Sequence, residues 1–282
     1  MFPGSRESIE RDDAAYVVIG APLDVSTSFL PGTRFGPDRI RQFARPFDDY
    51  DRRTDLHFSA CDVIDEGDVR AWNDTTEYLE WLNGELTTIT RDDALPVLLG
   101  GEHTISRAGV DAVTPDVFVC LDAHLDLRQT YDGNTDSHAT VTHHITEMDT
   151  IEEVIIIGAR AGSEAEWERA TAPDVTIVSP ADITAGFDVS TWIGDRSSYL
   201  SVDIDAVDPG FAPGTGTPEP GGITPQNARE IVRTAAGSAV GFDIVEVTDR
   251  DDGQTASLAG KLVRDFVYSH RAATIQRTDN ET

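Results

Sequence analysis

The chain has 282 residues, of which 51 are acidic and 22 are basic, and its formal net charge is −29. Because of this large negative charge, nucleic acid and anionic membranes are not expected as partners. The sequence contains no run of about eighteen apolar residues, so no membrane span is predicted. The acids are spread evenly, as in proteins that work in molar salt, where a Debye length of about 3 Å screens their repulsion. We therefore expect a halophilic protein.

The pattern of apolar residues predicts eight strands that alternate with helices. The strands are expected at 15–21, 60–64, 96–99, 117–121, 153–157, 175–178, 199–204 and 239–245. The helices are expected to begin at Asp38 and Thr104 and to span 75–90, 139–148, 163–170, 224–236 and 256–270. This alternation favours a single three-layer α/β/α domain over residues 1–282, with a central parallel sheet of about eight strands.

The first thirteen residues lack the apolar segment of a secretory signal, and we expect a flexible or docking arm there. The only cysteines, Cys61 and Cys120, lie in predicted strands. Because thiols are kept reduced in the cytoplasm, we expect both to be free and buried in a cytoplasmic protein.

Two predicted strands end in acidic residues spaced by two positions. One leads into Asp122, His124 and Asp126, and the other leads into Asp203 and Asp205. Residues i and i+2 of an extended chain lie on the same side, and the carboxyl ends of parallel strands form the crevice in which open α/β sheets bind ligands. Carboxylates beside a neutral imidazole suit divalent cations such as Mn²⁺ or Mg²⁺.

A third strand end adds a histidine to this set. The strand at 96–99 continues through Gly100 and Gly101 to His103. Four carboxylates and two imidazoles on three strand ends are too many for one cation, and without cations such crowded carboxylates would repel one another and hold protons. Two cations a few ångströms apart would neutralise them, an arrangement that also activates water for hydrolysis.

These motifs, in this order, resemble those of the ureohydrolase family, the arginases and agmatinases, and are most similar to agmatinases. The metal-binding signatures are GGEHT at 100–104, DAHLD at 122–126 and SVDIDAVDP at 201–209. GAPLD at 20–24, GTRFGPDRIR at 32–41 and APGTGTPEPGG at 212–222 extend the likeness through most of the chain. The resemblance implies the same three-layer fold and two Mn²⁺ per subunit, with Co²⁺ or Fe²⁺ as alternatives.

The resemblance also implies a role for each matching residue. The metal ligands would be His103, Asp122, His124, Asp126, Asp203 and Asp205. Asp122 and Asp203 would bridge the ions, and Asp126 would also accept a hydrogen bond from the attacking hydroxide. His138, in SHAT, would be the catalytic acid and proton shuttle. Glu246, in FDIVEV, would bind the guanidinium of the substrate.

The function that the resemblance implies is metal-assisted hydrolysis of a small cationic guanidino compound in a homo-oligomer, a trimer or a hexamer. The loop at 131–138 carries two acids, Asp132 and Asp136, and no basic residue. That composition favours the ammonium tail of agmatine over the carboxylate of arginine or 4-guanidinobutyrate, with putrescine and urea as products. Asn134, Asp136, His138 and Glu246 are then the predicted substrate contacts, although both acids also fit the general acidic surface.

Other interpretations stay open. One is activity on another guanidino compound, such as arginine, 4-guanidinobutyrate or aminopropylagmatine. Another is a non-catalytic subunit with the same fold, which the intact set of candidate residues argues against. A two-metal phosphoesterase is disfavoured, because no Arg, Lys or Gly-rich cluster for a phosphate accompanies the metal motifs. After Glu246 the sequence departs from the family, since Thr248, Asp249 and Arg250 stand where an Asn-Pro-like turn is common.

Overall fold

Eight parallel strands form one central sheet in the computed structural model, which describes residues 1–70, 73–183 and 186–281. The strands of the described chain are β1 Tyr16–Ala21, β2 Tyr50–Asp51, β3 Leu56–His57, β4 Val63–Asp68, β5 Leu95–Gly100, β6 Val117–Leu121, β7 Glu153–Ile157, β8 Val175–Val178, β9 Ser198–Asp203 and β10 Ala239–Val245. The sheet order is β4-β1-β5-β10-β9-β6-β7-β8, and β2 and β3 form a separate antiparallel pair. The parallel sheet predicted from the sequence is confirmed.

Helices cover both faces of this sheet. They are α1 Gly36–Phe43, α2 Thr75–Arg91, α3 Ser106–Val113, α4 Val141–Thr146, α5 Glu164–Arg169, α6 Ser190–Ile193, α7 Pro225–Ala235 and α8 Gln254–Glu281. Val18 of β1 packs in one core with Ile40 of α1 and Phe266 of α8. The adjacent Val17 packs in a second core with Leu82 of α2. Neighbouring strand residues therefore serve opposite layers, which is the three-layer α/β/α arrangement.

The strands form where the chain has short, continuous apolar runs. Every residue of β1, β5, β6 and β9 is buried, as expected for parallel strands with helices on both faces. The predicted bounds of β6, β7, β8 and β10 agree with the structure residue for residue. Burial on two faces removes the need for polar positions, so these runs stand out from the amphipathic helices around them.

The bounds of several elements differ from the sequence prediction by a few residues, as in β4, and two features differ more. The closing helix α8 continues to Glu281, although its apolar pattern ends near Tyr268 and indicates an end at His270. The short β2–β3 pair lies in a charged segment for which no strand was predicted, and its residues are exposed or half-buried. Neither feature carries the apolar periodicity from which helices and strands are predicted.

The N-terminal segment lies against the body of the chain. Phe2 is buried beside Phe58, and the amide of Arg6 donates to the carbonyl of Val63. Cys61 and Cys120 are free and buried, as expected. In the described part of the chain, no helix has both the length and the hydropathy that crossing a membrane would require.

Candidate metal centre

The candidate site residues meet at the carboxyl ends of four adjacent central strands, β5, β10, β9 and β6. The end of each strand or the loop that follows it supplies one or more of them: His103, Glu246, Asp203 and Asp205, and Asp122, His124 and Asp126. All are buried except His124, which is half-buried. The structure thus brings together residues that are up to 143 positions apart in the sequence.

A close contact between two loops places His103. The amide of Gly101 donates to the carbonyl of Ala21, and the amide of Glu102 donates to that of Leu23. A Cβ atom at position 101 would lie only 2.0 Å from the Leu23 carbonyl oxygen. Glycine is therefore required at this position, because any side chain would push the loop after β5 away from the loop after β1.

The His103 imidazole forms the centre of a first group of ligand atoms. Its Nδ1 lies 3.1 Å from Asp122 Oδ2, 3.1 Å from Asp126 Oδ2 and 3.7 Å from Asp203 Oδ2. Three carboxylates that converge on one imidazole nitrogen present one nitrogen and three oxygens to the space between them. That mixed donor set suits a divalent cation of the Mn²⁺ type.

His124 forms the centre of a second group. Its Nδ1 lies 2.9 Å from Asp205 Oδ2 and 3.7 Å from Asp122 Oδ1. Asp122 therefore directs one oxygen to each imidazole, which is the placement expected of a carboxylate that bridges two ions. Thr217 Oγ1 donates to the same Asp205 oxygen at 3.2 Å, and the Asp205 amide donates to Asp203 Oδ1 at 2.9 Å.

The opposite edge of the His103 ring faces the protein interior. Its Nε2 lies 3.2 Å from Ser201 Oγ and 3.6 Å from Cys120 Sγ. Ser201 in turn donates to Asp243, a fully buried carboxylate, at 2.6 Å. A hydrogen bond at Nε2 fixes the ring and leaves Nδ1 available to a cation.

The charge state of the group shows why cations would fit there. Burial, and then the charge of Asp122, raise the pKa of Asp126 to about 7. Burial alone would lower the pKa of His124, but Asp205 and Asp122 outweigh it and raise that pKa to about 12. In the absence of a cation, protons hold these carboxylates together. Divalent cations would replace the protons and supply the missing positive charge, so the residues present fit two such ions.

Two of the candidate residues have strained backbone conformations. Asp126 has φ 50° and Glu246 has φ 62°, in the left-handed region that residues other than glycine rarely adopt. Such strain costs energy and persists where the surrounding structure holds it, most often at functional sites. Glu246 is held by the amide of His103, which donates to its Oε1 at 2.8 Å. Burial raises the pKa of the Glu246 carboxyl.

His138 is held from two sides by the loop after β1. Its Nε2 lies 3.0 Å from Ser28 Oγ, and its amide donates to Ser26 Oγ at 2.9 Å. Ser26 Oγ donates onward to the buried carboxylate of Glu102 at 2.8 Å. Burial first, and the positive charges of His124 and His103 second, lower the pKa of His138 to about 4. The ring is therefore neutral at pH 7.

A cavity of about 290 Å³ opens onto the cluster. Its lining includes Ser28, His124, Asp126, Arg128, Tyr131, His138, Ser163, Glu166, Asp203, Asp205 and Thr217. His103, Asp122 and Glu246 lie behind this lining and are almost fully buried. His138, the candidate proton shuttle, therefore lines the same cavity as residues from both groups of ligand atoms.

Of the four predicted substrate contacts, only His138 lines this cavity: Glu246 lies behind the lining, and Asn134 and Asp136 lie outside it. Asp136 pairs with Arg107 at 2.6 Å and accepts a hydrogen bond from Thr76 at 3.0 Å. The Asn134 side chain is exposed and bonds to the backbone of Asp136. The position of these two side chains does not support a contact with the substrate, and that role stays a prediction. Asp136 connects the loop at 131–138 to α2 and α3 through these two contacts. The sequence of the loop alone does not indicate either partner.

Arg160 ties two loops together. Its Nη1 donates to the carbonyl of Gly158 at 2.9 Å, and its Nη2 donates to that of Asp205 at 2.8 Å. Its Nε donates to the carbonyl of Glu219 at 3.2 Å. Beyond Glu246, the Thr248 amide donates to the carbonyl of Gly214 at 2.8 Å. The loop at 212–222 is thus anchored from both sides.

Several residues that line the cavity had no predicted role. Ser28 carries no motif of its own. Arg128 follows Asp126 by two positions and is a basic residue in an acidic chain. A basic residue so close to a candidate metal ligand is a sequence signal for a position at the site. Glu166 completes a capping box with Ser163 at the start of α5, a pattern that is visible in the sequence but normally indicates only a helix start.

The chain is similar in sequence and in structure to known proteins. The sequence profile of the Arginase family matches residues 14–268. An agmatinase of Halalkalibacterium halodurans is 32% identical over 277 residues, with 95% of each chain covered. A guanidinobutyrase of Pseudomonas aeruginosa is 35% identical, with 90% of this chain and 85% of that protein covered. The crystal structure of the agmatine ureohydrolase of Thermoplasma volcanium has a TM-score of 0.88 and 32% identity, and covers 95% of this chain and 94% of that one.

Proposed function

The chain belongs to the arginase family, and from that premise we propose that it hydrolyses agmatine to putrescine and urea. Members of this family are hydrolases that act on guanidino compounds. The observation that carries the proposal is the pair of imidazole groups joined by Asp122, which opens onto a cavity that also contains His138. Similarity to an agmatinase and to an agmatine ureohydrolase supports agmatine as the substrate.

We propose that the cluster holds two Mn²⁺ ions. His103, Asp122, Asp126 and Asp203 would hold one ion, and His124 and Asp205, with both bridging carboxylates, would hold the other. Bound cations of this kind lower the pKa of water and so make a nucleophile available at neutral pH. Co²⁺ and Fe²⁺ satisfy the same donor set and are the alternatives.

The protein residues around the ions would orient the reactants. Glu246, held by the His103 amide, would bind the guanidinium through charge-assisted hydrogen bonds. Asp126, whose carboxylate lies 3.1 Å from His103 Nδ1, would accept a hydrogen bond from the attacking water. Glu246 and Asp126 would thus hold the water oxygen near the guanidinium carbon, which is weakly electrophilic and needs a well-placed nucleophile.

His138 would move the proton that hydrolysis requires. Agmatine, bound as its guanidinium cation, and one water give urea and putrescine with its new amine protonated, so both water protons must reach the departing nitrogen; we assign the transfer of one proton to His138. The His138 ring is neutral at pH 7 and can take up that proton and deliver it. The contact with Ser28 Oγ fixes the orientation of the ring.

The product of this reaction is a diamine, and we infer a role in supplying polyamines. We also propose a homo-oligomer, a trimer or a hexamer, which light scattering of the purified protein would establish. The net charge of −29 supports a halophilic protein.

Urea release from a panel of guanidino compounds tests the proposal. The Mn²⁺-loaded protein in high salt would be given agmatine, arginine, 4-guanidinobutyrate and aminopropylagmatine. We expect the highest kcat/KM for agmatine. A higher value for any other compound would contradict the substrate, and no urea from any of them would favour a non-catalytic subunit. His103→Ala would serve as the control for contaminating activity.

A further inference from the structure

The cavity wall carries an ion pair to which the proposed reaction gives no role. Arg128 Nη2 lies 3.1 Å from Glu166 Oε2, and both side chains line the same cavity as the metal cluster. Arg128 follows Asp126 in the loop after β6, and Glu166 belongs to the first turn of α5. The pair joins the loop after β6 to the first turn of α5, in the wall of the cavity that opens onto the metal cluster.

Glu166 is fixed and almost fully buried. Its side chain is 4% exposed, and its Oε2 accepts hydrogen bonds from the amide and the hydroxyl of Ser163, both at 2.7 Å. Its Oε1 accepts one from the amide of Leu127 at 3.2 Å. A carboxylate held in this way keeps its position, and an oxygen with a single donor can accept another from a bound ligand.

Arg128 is more open to the cavity. Its side chain is 36% exposed, and its guanidinium lies over the Tyr131 ring at 5.4 Å. A guanidinium offers five N–H donors, and the ion pair with Glu166 runs through Nη2. The remaining donors can bind a carboxylate, and the aromatic ring limits how far the side chain can turn.

The two charges act on a substrate tail in opposite directions. Glu166 attracts an ammonium, as in agmatine, and Arg128 repels it. Arg128 attracts a carboxylate, as in 4-guanidinobutyrate, and Glu166 repels it. Because the charges are paired at 3.1 Å, their fields largely cancel at the tail. Removal of either residue would leave the other without compensation in a partly desolvated site.

We propose that Arg128 and Glu166 form the subsite for the substrate tail, and that the balance between them determines whether an ammonium or a carboxylate tail is preferred. This inference rests on the proposed function, because it assumes that the guanidinium binds at the metal centre. It identifies two specificity-determining residues and the chemical classes that they distinguish.

The experiment compares agmatine with 4-guanidinobutyrate, whose tails carry opposite charges. The measured quantity is the ratio of their kcat/KM values, agmatine over 4-guanidinobutyrate, in the Mn²⁺-loaded protein. Arg128→Gln should raise this ratio about tenfold, and Glu166→Gln should lower it about tenfold. Arg128→Lys retains the charge and should stay within about threefold of the wild type.

Matched controls remove the same charges from α5 outside the cavity. Arg169→Gln breaks a pair with Asp174, and Glu168→Gln removes an exposed acid. Both should leave the ratio unchanged, which would exclude an effect of net charge. Thermal melts would show whether Glu166→Gln disturbs the start of α5. If it does, the two Arg128 variants still decide the question.

The outcomes separate this inference from the proposed function. A ratio that moves in the same direction in Arg128→Gln and Glu166→Gln would overturn the subsite, as would an equal loss for both compounds in Arg128→Gln. If the wild type releases urea from neither compound, the proposed function fails. In that case, the affinities of the Mn²⁺-loaded variants for the two compounds, measured by calorimetry, would still show whether Arg128 and Glu166 form the subsite.

Discussion

Replacement of Asp122 by asparagine is the most direct test of a binuclear centre. Asp122 directs Oδ2 to the His103 group and Oδ1 to the His124 group, so the loss of one oxygen affects both proposed ions. We expect wild-type protein to bind two Mn²⁺ and Asp122→Asn to bind one or none at the same free concentration. Elemental analysis after dialysis would measure this directly.

The size of the effect follows from the position of the carboxylate. Loss of a group that only supports a metal ligand costs 10–100-fold in affinity, so loss of a bridging ligand should cost at least about 100-fold. At saturating Mn²⁺, a factor of 100 removes about 2.7 kcal/mol of the stabilisation that bound ions provide. For a chain of this length that is roughly 5 to 11 °C in Tm.

The assay is the rise in Tm when Mn²⁺ is added, measured for wild type and variant in the same salt. Asp136→Asn is the matched control, because Asp136 pairs with Arg107 outside the cluster. Its Mn²⁺-dependent rise should equal that of the wild type. One ion per wild-type chain, or an unchanged rise in Asp122→Asn, would refute the binuclear centre.

Three further predictions concern other parts of the molecule. His138→Asn should lower kcat about 100-fold or more with Mn²⁺ content unchanged, since it removes the proton shuttle, and a loss of only a few-fold would exclude that role. Tm should rise from low to molar KCl, because salt screens the repulsion among charges that sum to −29; a flat or falling Tm would contradict the halophilic character. Burial lowers the pKa of His270, which contacts Tyr16, to about 4. The stability that the neutral ring provides is therefore full above pH 6.5 and is lost as the pH falls towards 4, by up to about 3 kcal/mol. Thermal melts from pH 6.5 to 4 would compare wild type with His270→Gln. If the variant loses as much stability as the wild type, a group other than His270 causes the loss.

Much of the fold could be predicted because buried parallel strands are continuous apolar runs. The bounds of β6, β7, β8 and β10 follow from this property alone. The extension of α8 beyond His270 could not be predicted, because an exposed helix end shows no apolar periodicity. The β2–β3 pair was missed for the same reason, since it is too short and too polar to show an alternating pattern.

The candidate metal ligands were accessible to sequence analysis because each lies at the carboxyl end of a strand or in the loop that follows it. When the strands are parallel, their carboxyl ends meet at one edge, so local position predicts spatial proximity. Family resemblance then supplied the roles of His138 and Glu246, which no local pattern indicates. Those roles, together with the metal-ligand assignments, stay predictions until the variants described above are measured.

The sequence by itself determined the strand ends, the acidic surface and the crowding of carboxylates at one edge of the sheet. The tertiary structure decided which charges are paired. Asp136 turned out to bind Arg107, His138 to contact Ser28, and Arg128 to pair with Glu166. Such partners lie 29 to 110 positions apart, and in a chain with 51 acids many pairings are equally compatible with the sequence. Only the packing of the loops selects one, because the energy of an ion pair depends on distance and burial rather than on separation along the chain.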